Sequence, residues 1–585
     1  MIINNKESIA RDIKENQDLL VGLFLLGVLF WAVIVVTIGY IVDLDFKGCA
    51  VLLAIIGSIA FCYLLNRNMK QTLVTAVVGC IPLFASVFFC TKCYDWSWDG
   101  NAYHKLIVGF LNRGWNPLKM TYYDYAAKFP LFVDQSEMVY FDAYPKGTEI
   151  IGACFYRITG TIEAGKVFNI IGAIATFCII RAFLRKFIPL KSWQVNLASG
   201  LFVVNPVTLS QLFTYYNDGF LWNLIFVFMV ALIYLTVVPQ NEFTKYAWLA
   251  IFYCINLGFN TKFSALIFFF IVYMGFFVVW LVRYLANRSQ DESKKLCLLS
   301  MKWVSISGSL GILFTGASSY VVNMLRHSNP VYPMIGANFE NITSQLPTQF
   351  AEMSNFSRFL TSLFSKTSLW NVEHKIPFMF YGEELSPAKW FDTRIAGWGI
   401  FFSGIFLVSI ISLIAVGIKL FGKRKNARAL AIMLLAINVI MVALVPGLCW
   451  ARYYVGIFIL PIFTVIGLMI IGNSENKNGY SFVAGLITCL LIINILPNMQ
   501  KTSECFSNYS RICGELEDLK VITSTQAVFV SAGQNYHGEL EGLFFNLFDY
   551  GIDDNLINTY IEPTEQGITE IFDNTVLRYK AVDNE

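Results

Sequence analysis

The chain has 585 residues, 56% of them hydrophobic and 14% charged, with a mean hydropathy of +0.57 and a formal net charge of +3. Soluble domains are nearer about a quarter charged, so this composition excludes a soluble globular protein. A balance so close to neutral, without any lysine- or arginine-rich block, excludes nucleic acid as a partner.

Residues 1–18 are polar and of mixed charge (Lys6, Glu7, Arg11, Asp12, Lys14, Glu15). They lack the basic start and small-residue cleavage site of a removable signal peptide, so they read as a cytoplasmic tail before a retained span. A run of about twenty apolar residues crosses a bilayer as a helix, because the backbone must satisfy its own hydrogen bonds there. Such runs fall near 19–42, 49–65, 72–90, 164–184, 194–212, 219–238, 246–259, 263–282, 303–323, 395–420, 429–446, 453–471 and 480–496. The stretch Gly147–Gly160 is apolar but too short to cross, and reads as a re-entrant or interfacial helix. The expected fold is therefore an all-α polytopic membrane protein with about thirteen transmembrane helices over residues 19–496. Long external loops are expected at 91–163, with interfacial helices, and at 324–394. Residues 497–585 read as a small external α+β domain, strand-like over Ala527–Ala532 and helix-like over Glu539–Tyr550.

Basic residues set the sidedness. Arg67 and Lys70, then Arg181, Arg185, Lys186 and Lys191, then Arg283, Arg288, Lys294, Lys295 and Lys302, and finally Lys423, Arg424, Lys425 and Arg428 fall on alternate connections. That pattern puts the N-terminus inside and the C-terminus outside, provided that 147–160 does not cross. All four histidines (His104, His327, His374, His537) then lie outside. The thirteen cysteines sit mostly in apolar runs, as small hydrophobes do. Cys90 and Cys93 form a CxxC without partner ligands, and Cys505 and Cys513 could pair if their side is oxidising.

The outer face also gathers the polar oddities. Tyr94–His104 places Asp95 and Asp99 at a membrane edge with Trp96 and Trp98 between them. If the preceding helix continues, Asp95, Asp99 and Tyr103 share one face, and burial beside a second acid pushes a carboxyl toward useful base strength. A plain solvated loop is the alternative. Asp218 opens a span, as a helix cap or as a site residue. Lys262 lies between two spans, either snorkelling or meeting an anion. Arg326 opens the second long loop, in Arg326-His-Ser-Asn-Pro-Val-Tyr-Pro333. Arg452, in Trp450-Ala-Arg-Tyr-Tyr454, anchors the interface or binds phosphate. Sugar transfer from a lipid phosphate uses all of these at once: a carboxylate activates the acceptor hydroxyl and cations neutralise the departing phosphate.

In these pieces the chain resembles the GT-C superfamily of membrane glycosyltransferases, which includes protein mannosyltransferases and the aminoarabinose transferases of lipid A. The resemblance rests on Asp95, Trp98-Asp-Gly-Asn-Ala-Tyr-His104, Tyr144-Pro-Lys-Gly147, Asn205-Pro206, Tyr216-Asn-Asp218, Thr261-Lys262, Asn329-Pro-Val-Tyr-Pro333 and Ala451-Arg-Tyr453, and covers roughly residues 72–471. It implies inverting transfer from a polyprenyl-phosphate sugar in a bacterial inner membrane, to a glycan, lipid or protein acceptor. Asp99 is then the general base, and Asp95 a second acid that orients the acceptor or a metal. Tyr103, His104, Tyr144, Asp218, Lys262, Arg326, Arg452 and Tyr453 are then the substrate-binding set. The resemblance fixes no cofactor, and a divalent metal ion stays open. There are departures. Two spans precede the one that leads into the catalytic loop, the Asp-Glu pair of the mannosyltransferases is absent, and a Tyr-Pro replaces the usual proline pair. A polymerase or ligase of lipid-linked polysaccharide is the main alternative, with an essential arginine or histidine in 326–394. A transporter or flippase is the alternative from another class.

Overall fold

The computed structural model describes residues 5–581 except 130–131, 133–139, 287–290, 336–345, 422–424, 526–527, 533–539, 553–556, 559–568 and 572–576. The chain is mostly helical, and nine helices among the described residues are long and apolar enough to cross a membrane. It is an integral membrane protein. Three of these helices, Gln17–Val42, Asp218–Val237 and Val455–Glu475, are each 89% buried over their apolar window. A helix that is apolar all round belongs at the centre of a bundle. Lys47–Asn66 and Glu292–Leu313, at 28% and 22%, form the outer layer that lipid covers.

One of the expected spans is interrupted. The run 194–212 breaks in two, Ser192–Val203 and Pro206–Gln211, because Asn205 before a proline is held extended and its side chain caps the second piece. Thr244–Phe259 has 16 residues, and the runs near 395–420 and 429–446 form the helices Phe402–Phe421 and Lys425–Leu444, of 20 residues each. The run placed near 303–323 lies earlier, in Asp291–Leu313, followed by turns and the separate helix Tyr320–His327.

Helix Met69–Thr91 ends where the first long loop begins, and residues 94–97 are not helical. The single continuous face expected for Asp95, Asp99 and Tyr103 is therefore not formed. The helix restarts at Trp98, and Gly100–His104 is a π-helical turn leading into Lys105–Asn112. Helix Gly147–Thr159 has 13 residues, about 20 Å against the roughly 30 Å of a hydrocarbon core. Its first residue donates its N–H to the Asn260 carbonyl at 2.7 Å, and a Cβ there would sit 2.7 Å from that of Asn260. Only glycine permits that approach, which gives the Tyr144–Gly147 motif a packing reason.

In the C-terminal region β1 (Val528–Ala532), β2 (Ile557–Asn558), β3 (Thr569–Ile571) and β4 (Leu577–Ala581) form a sheet of order β2-β1-β4-β3, with β1 and β2 parallel and the other pairs antiparallel. The helix-like stretch appears as a 3-10 turn, Glu541–Leu543, and the helix Phe544–Asp549; Glu539, Ala527 and His537 lie outside the described residues. This helix packs back on the first loop. The Phe545 ring occupies the space a Cβ on Gly109 would need, and Asp549 Oδ2 accepts the Ile162 N–H at 2.7 Å.

Candidate functional site

The π-helical turn aims Asp99 and Tyr103 at residues from three other parts of the chain. Asp99 Oδ2 accepts a hydrogen bond from Tyr103 Oη at 3.2 Å and from Arg452 Nη1 at 3.0 Å. Arg452 is buried, with Nε 3.3 Å from Asp392 Oδ1 and Nη2 donating to Tyr453 Oη at 3.1 Å. Its guanidinium lies 4.9 Å from the Tyr216 ring centroid and 5.0 Å from that of Tyr453. Asp392 Oδ2 in turn accepts from Arg394 Nε at 2.7 Å, and Arg394 lies between the rings of Trp370 (3.8 Å) and Trp450 (4.4 Å). Carboxylate and guanidinium therefore alternate along one chain: Asp99, Arg452, Asp392, Arg394.

Lys262 Nζ pairs with Asp218 Oδ1 at 2.5 Å and lies 5.0 Å over the Tyr453 ring, so it joins the same group. The expectation that burial lifts Asp99 toward base strength is corrected here. Burial does raise its carboxyl, but the charges of Arg452, His104, Lys262 and Arg394 outweigh it and hold it below the ordinary carboxylate range. The reason is the company it keeps: Asp99 faces cations, not a second acid. Several buried polar atoms around it have no hydrogen-bond partner among the described residues: Asp218 Oδ2, Tyr216 Oη, Thr393 Oγ1 and Arg394 Nη1.

Asp95 lies apart from this group. Fully buried, it accepts the Ser97 N–H on Oδ1 at 2.8 Å and the Tyr215 N–H on Oδ2 at 2.9 Å. Burial, only partly offset by Lys105 and Lys166, leaves its carboxyl raised. Its neighbours are structural. Glu163 accepts the Asp95 N–H at 2.9 Å, Lys105 Nζ at 2.7 Å and Asn546 Nδ2 at 2.8 Å, and also pairs with Lys166. Two acids and two lysines, all about wholly buried, thus knit the loop, the start of the next span and the C-terminal helix.

The remaining expected residues spread around the rim. His104 Nδ1 meets Glu149 Oε1 at 2.6 Å, and its ring lies 4.2 Å from that of Tyr103. Tyr144 Oη contacts Met334 Sδ at 3.2 Å, and its ring packs on Phe263, next to Lys262. Arg326 lies 4.0 Å from Asp142, the carboxylate that also takes the Tyr122 N–H, and so belongs to a neighbouring pair. Asp392, Arg394 and Glu149 were not singled out from the sequence. The signal for the first two was present in Trp390-Phe-Asp-Thr-Arg394, an acid and an arginine set among aromatics in a long loop. Among the described residues, no three His, Cys, Asp or Glu side chains come together to hold a metal ion.

Comparison with known protein families and with curated proteins finds no match to this chain.

Proposed function

We propose that this protein is a GT-C-type glycosyltransferase that moves a sugar from a polyprenyl phosphate to an acceptor hydroxyl, with Asp99 as general base. The observation that carries this is one ionised carboxylate set among Arg452, Lys262 and Arg394 at the head of lipid-embedded helices. Among the described residues the two hydrogen-bond partners of Asp99 both use Oδ2, which leaves Oδ1 to take the proton of an acceptor hydroxyl. Arg452, clamped between two carboxylates and only 6% exposed, orients Asp99. Lys262 and Arg394, with side chains 24% and 11% exposed, are the cations a lipid phosphate can reach. Asp218 Oδ2, Tyr216 Oη and Thr393 Oγ1, which have no hydrogen-bond partner among the described residues, suit sugar hydroxyls, since buried polar atoms are costly without partners.

A depressed base is a weak one, and the substrate supplies the remedy. Phosphate at Lys262 and Arg394 subtracts from the positive field on Asp99 and lifts its pKa toward working pH, where general-base catalysis is most effective. In this reading the site faces outward in a bacterial inner membrane, the N-terminus lies inside and the C-terminus outside, and the remaining apolar helices complete about thirteen crossings. The acceptor is a glycan, lipid or protein hydroxyl. Asp95 supports the loop and takes no part in the chemistry.

The polymerase or ligase reading keeps one observation in its favour, the arrival of Arg394 from the second external loop. Purified protein supplied with labelled polyprenyl-phosphate monosaccharides tests between them. Release of the sugar with formation of free polyprenyl phosphate is the expected result. Turnover only of lipid-linked oligosaccharides would favour the alternative.

A further inference from the structure

We propose that Cys93 and Cys505 form a disulfide that fastens the helix Leu496–Ser507 to the start of the first long loop. This rests on the outward placement of that loop and is independent of sugar transfer.

The two thiols are brought together by the packing on either side of them. The Phe89 and Phe506 rings meet edge to face at 6.4 Å, Lys501 Nζ lies 4.8 Å over the Trp96 ring, and Tyr94 stacks on Tyr509 at 5.5 Å. Residues 89–96 and 501–509 therefore run side by side, and in the middle of that register the Cys505 side chain is within hydrogen-bonding reach of Cys93. Both residues are 1% exposed. The pairing of Cys505 with Cys513 that the sequence suggested is not favoured, because Cys513 Sγ faces Tyr94 Oη at 3.5 Å instead. Cys90 is buried within its own helix. A metal site does not explain the group either, since no three ligating side chains come together among the described residues.

Oxidation breaks two S–H bonds and forms one S–S bond. Two protons leave, and two electrons pass to the disulfide of a thiol–disulfide oxidoreductase, which becomes a dithiol. Because the pair is buried, the bond closes as the chain folds and is then shielded from exchange. The place matters. Cys93 stands two residues before Asp95, whose carboxylate holds the loop in shape, and its carbonyl takes the Lys166 ammonium.

Peptide mapping of the full chain from native membranes tests this, with thiols alkylated under denaturing conditions before any reduction. Trypsin separates the four nearby cysteines, leaving Cys90 in 71–92, Cys93 in 93–105, Cys505 in 502–511 and Cys513 in 512–520. The expected result is a linked species of 93–105 with 502–511, lost on reduction and absent from Cys505→Ser. Alkylation of both peptides before reduction would overturn the proposal, as would linkage of either cysteine to Cys90 or Cys513. Reductant should also lower the unfolding midpoint of the native chain and leave that of Cys93→Ser unmoved. Equal shifts in both would count against it. The mapping needs no variant, so a misfolded substitution cannot obscure it.

Discussion

Arg452 lies between Asp99 and Asp392, so Asp99 gives up basicity in exchange for a fixed orientation. The pH dependence of turnover follows from this. The acid limb of kcat/KM reports Asp99 in the free enzyme and that of kcat reports it with phosphate bound. The kcat limb is therefore expected at higher pH, and coincident limbs would remove the phosphate from the account. Replacing Arg452 by Ala leaves the buried Asp99 carboxylate without its cation, while Asp392 keeps Arg394, and is expected to cost about 3–5 kcal/mol in denaturant unfolding, whereas loss of activity at full stability would contradict the clamp. At this scale the sequence was readable where a charge or tyrosine stood alone at the end of an apolar run, as Asp99, Asp218, Lys262 and Arg452 do. Asp392 and Arg394 escaped because they lie in a long loop with no period to mark which side chains point inward. The surroundings of Asp95 were hidden for the opposite reason: closeness in sequence to Asp99 concealed that its carboxylate meets backbone amides.

The element that positions the site is the turn from Trp98 to His104. A π-helical turn rotates side chains relative to an ordinary helix, and such turns are frequent at functional sites. Its fit depends on Gly100, where a Cβ would stand 2.1 Å from Asp95 Oδ2. Gly100→Ala must displace that carboxylate, with an expected loss of about 1–3 kcal/mol and a fall in activity through misplacement of Asp99. A crystal or cryo-EM structure of the variant with an unmoved Asp95 would refute the packing reason. The hydropathy pattern foretold the central helices well, because a bilayer demands a long apolar run. It could not foretell the break at Asn205-Pro206 or the restart at Trp98, where capping and local packing decide.

Across the whole molecule the C-terminal segment packs onto the first long loop: Asn546 completes the Lys105–Glu163 contact and Asp549 holds the Ile162 amide. Burial pushes the Asp549 carboxyl up to about 7. With a folded pKa above the unfolded one, the native state binds the proton more tightly, so its contribution to stability is complete in acid and is lost as pH rises toward 7. The unfolding free energy is expected to fall by about 1.4 kcal/mol per pH unit across that window, and Asp549→Asn to flatten the dependence. An unchanged slope in the variant would assign the effect elsewhere. From the sequence this region read as a separate domain because a strand-like and a helix-like stretch follow the last apolar run; the contacts joining it to the first loop span more than 380 residues of chain and leave no local pattern. The central claim, that Asp99 takes the acceptor proton, is tested most directly by the Asp99→Asn protein beside wild type at equal folded amount, with a labelled polyprenyl-phosphate sugar that the wild type turns over. The account predicts a drop in kcat of about 100-fold or more with the donor still bound. Undiminished transfer by Asp99→Asn would contradict it.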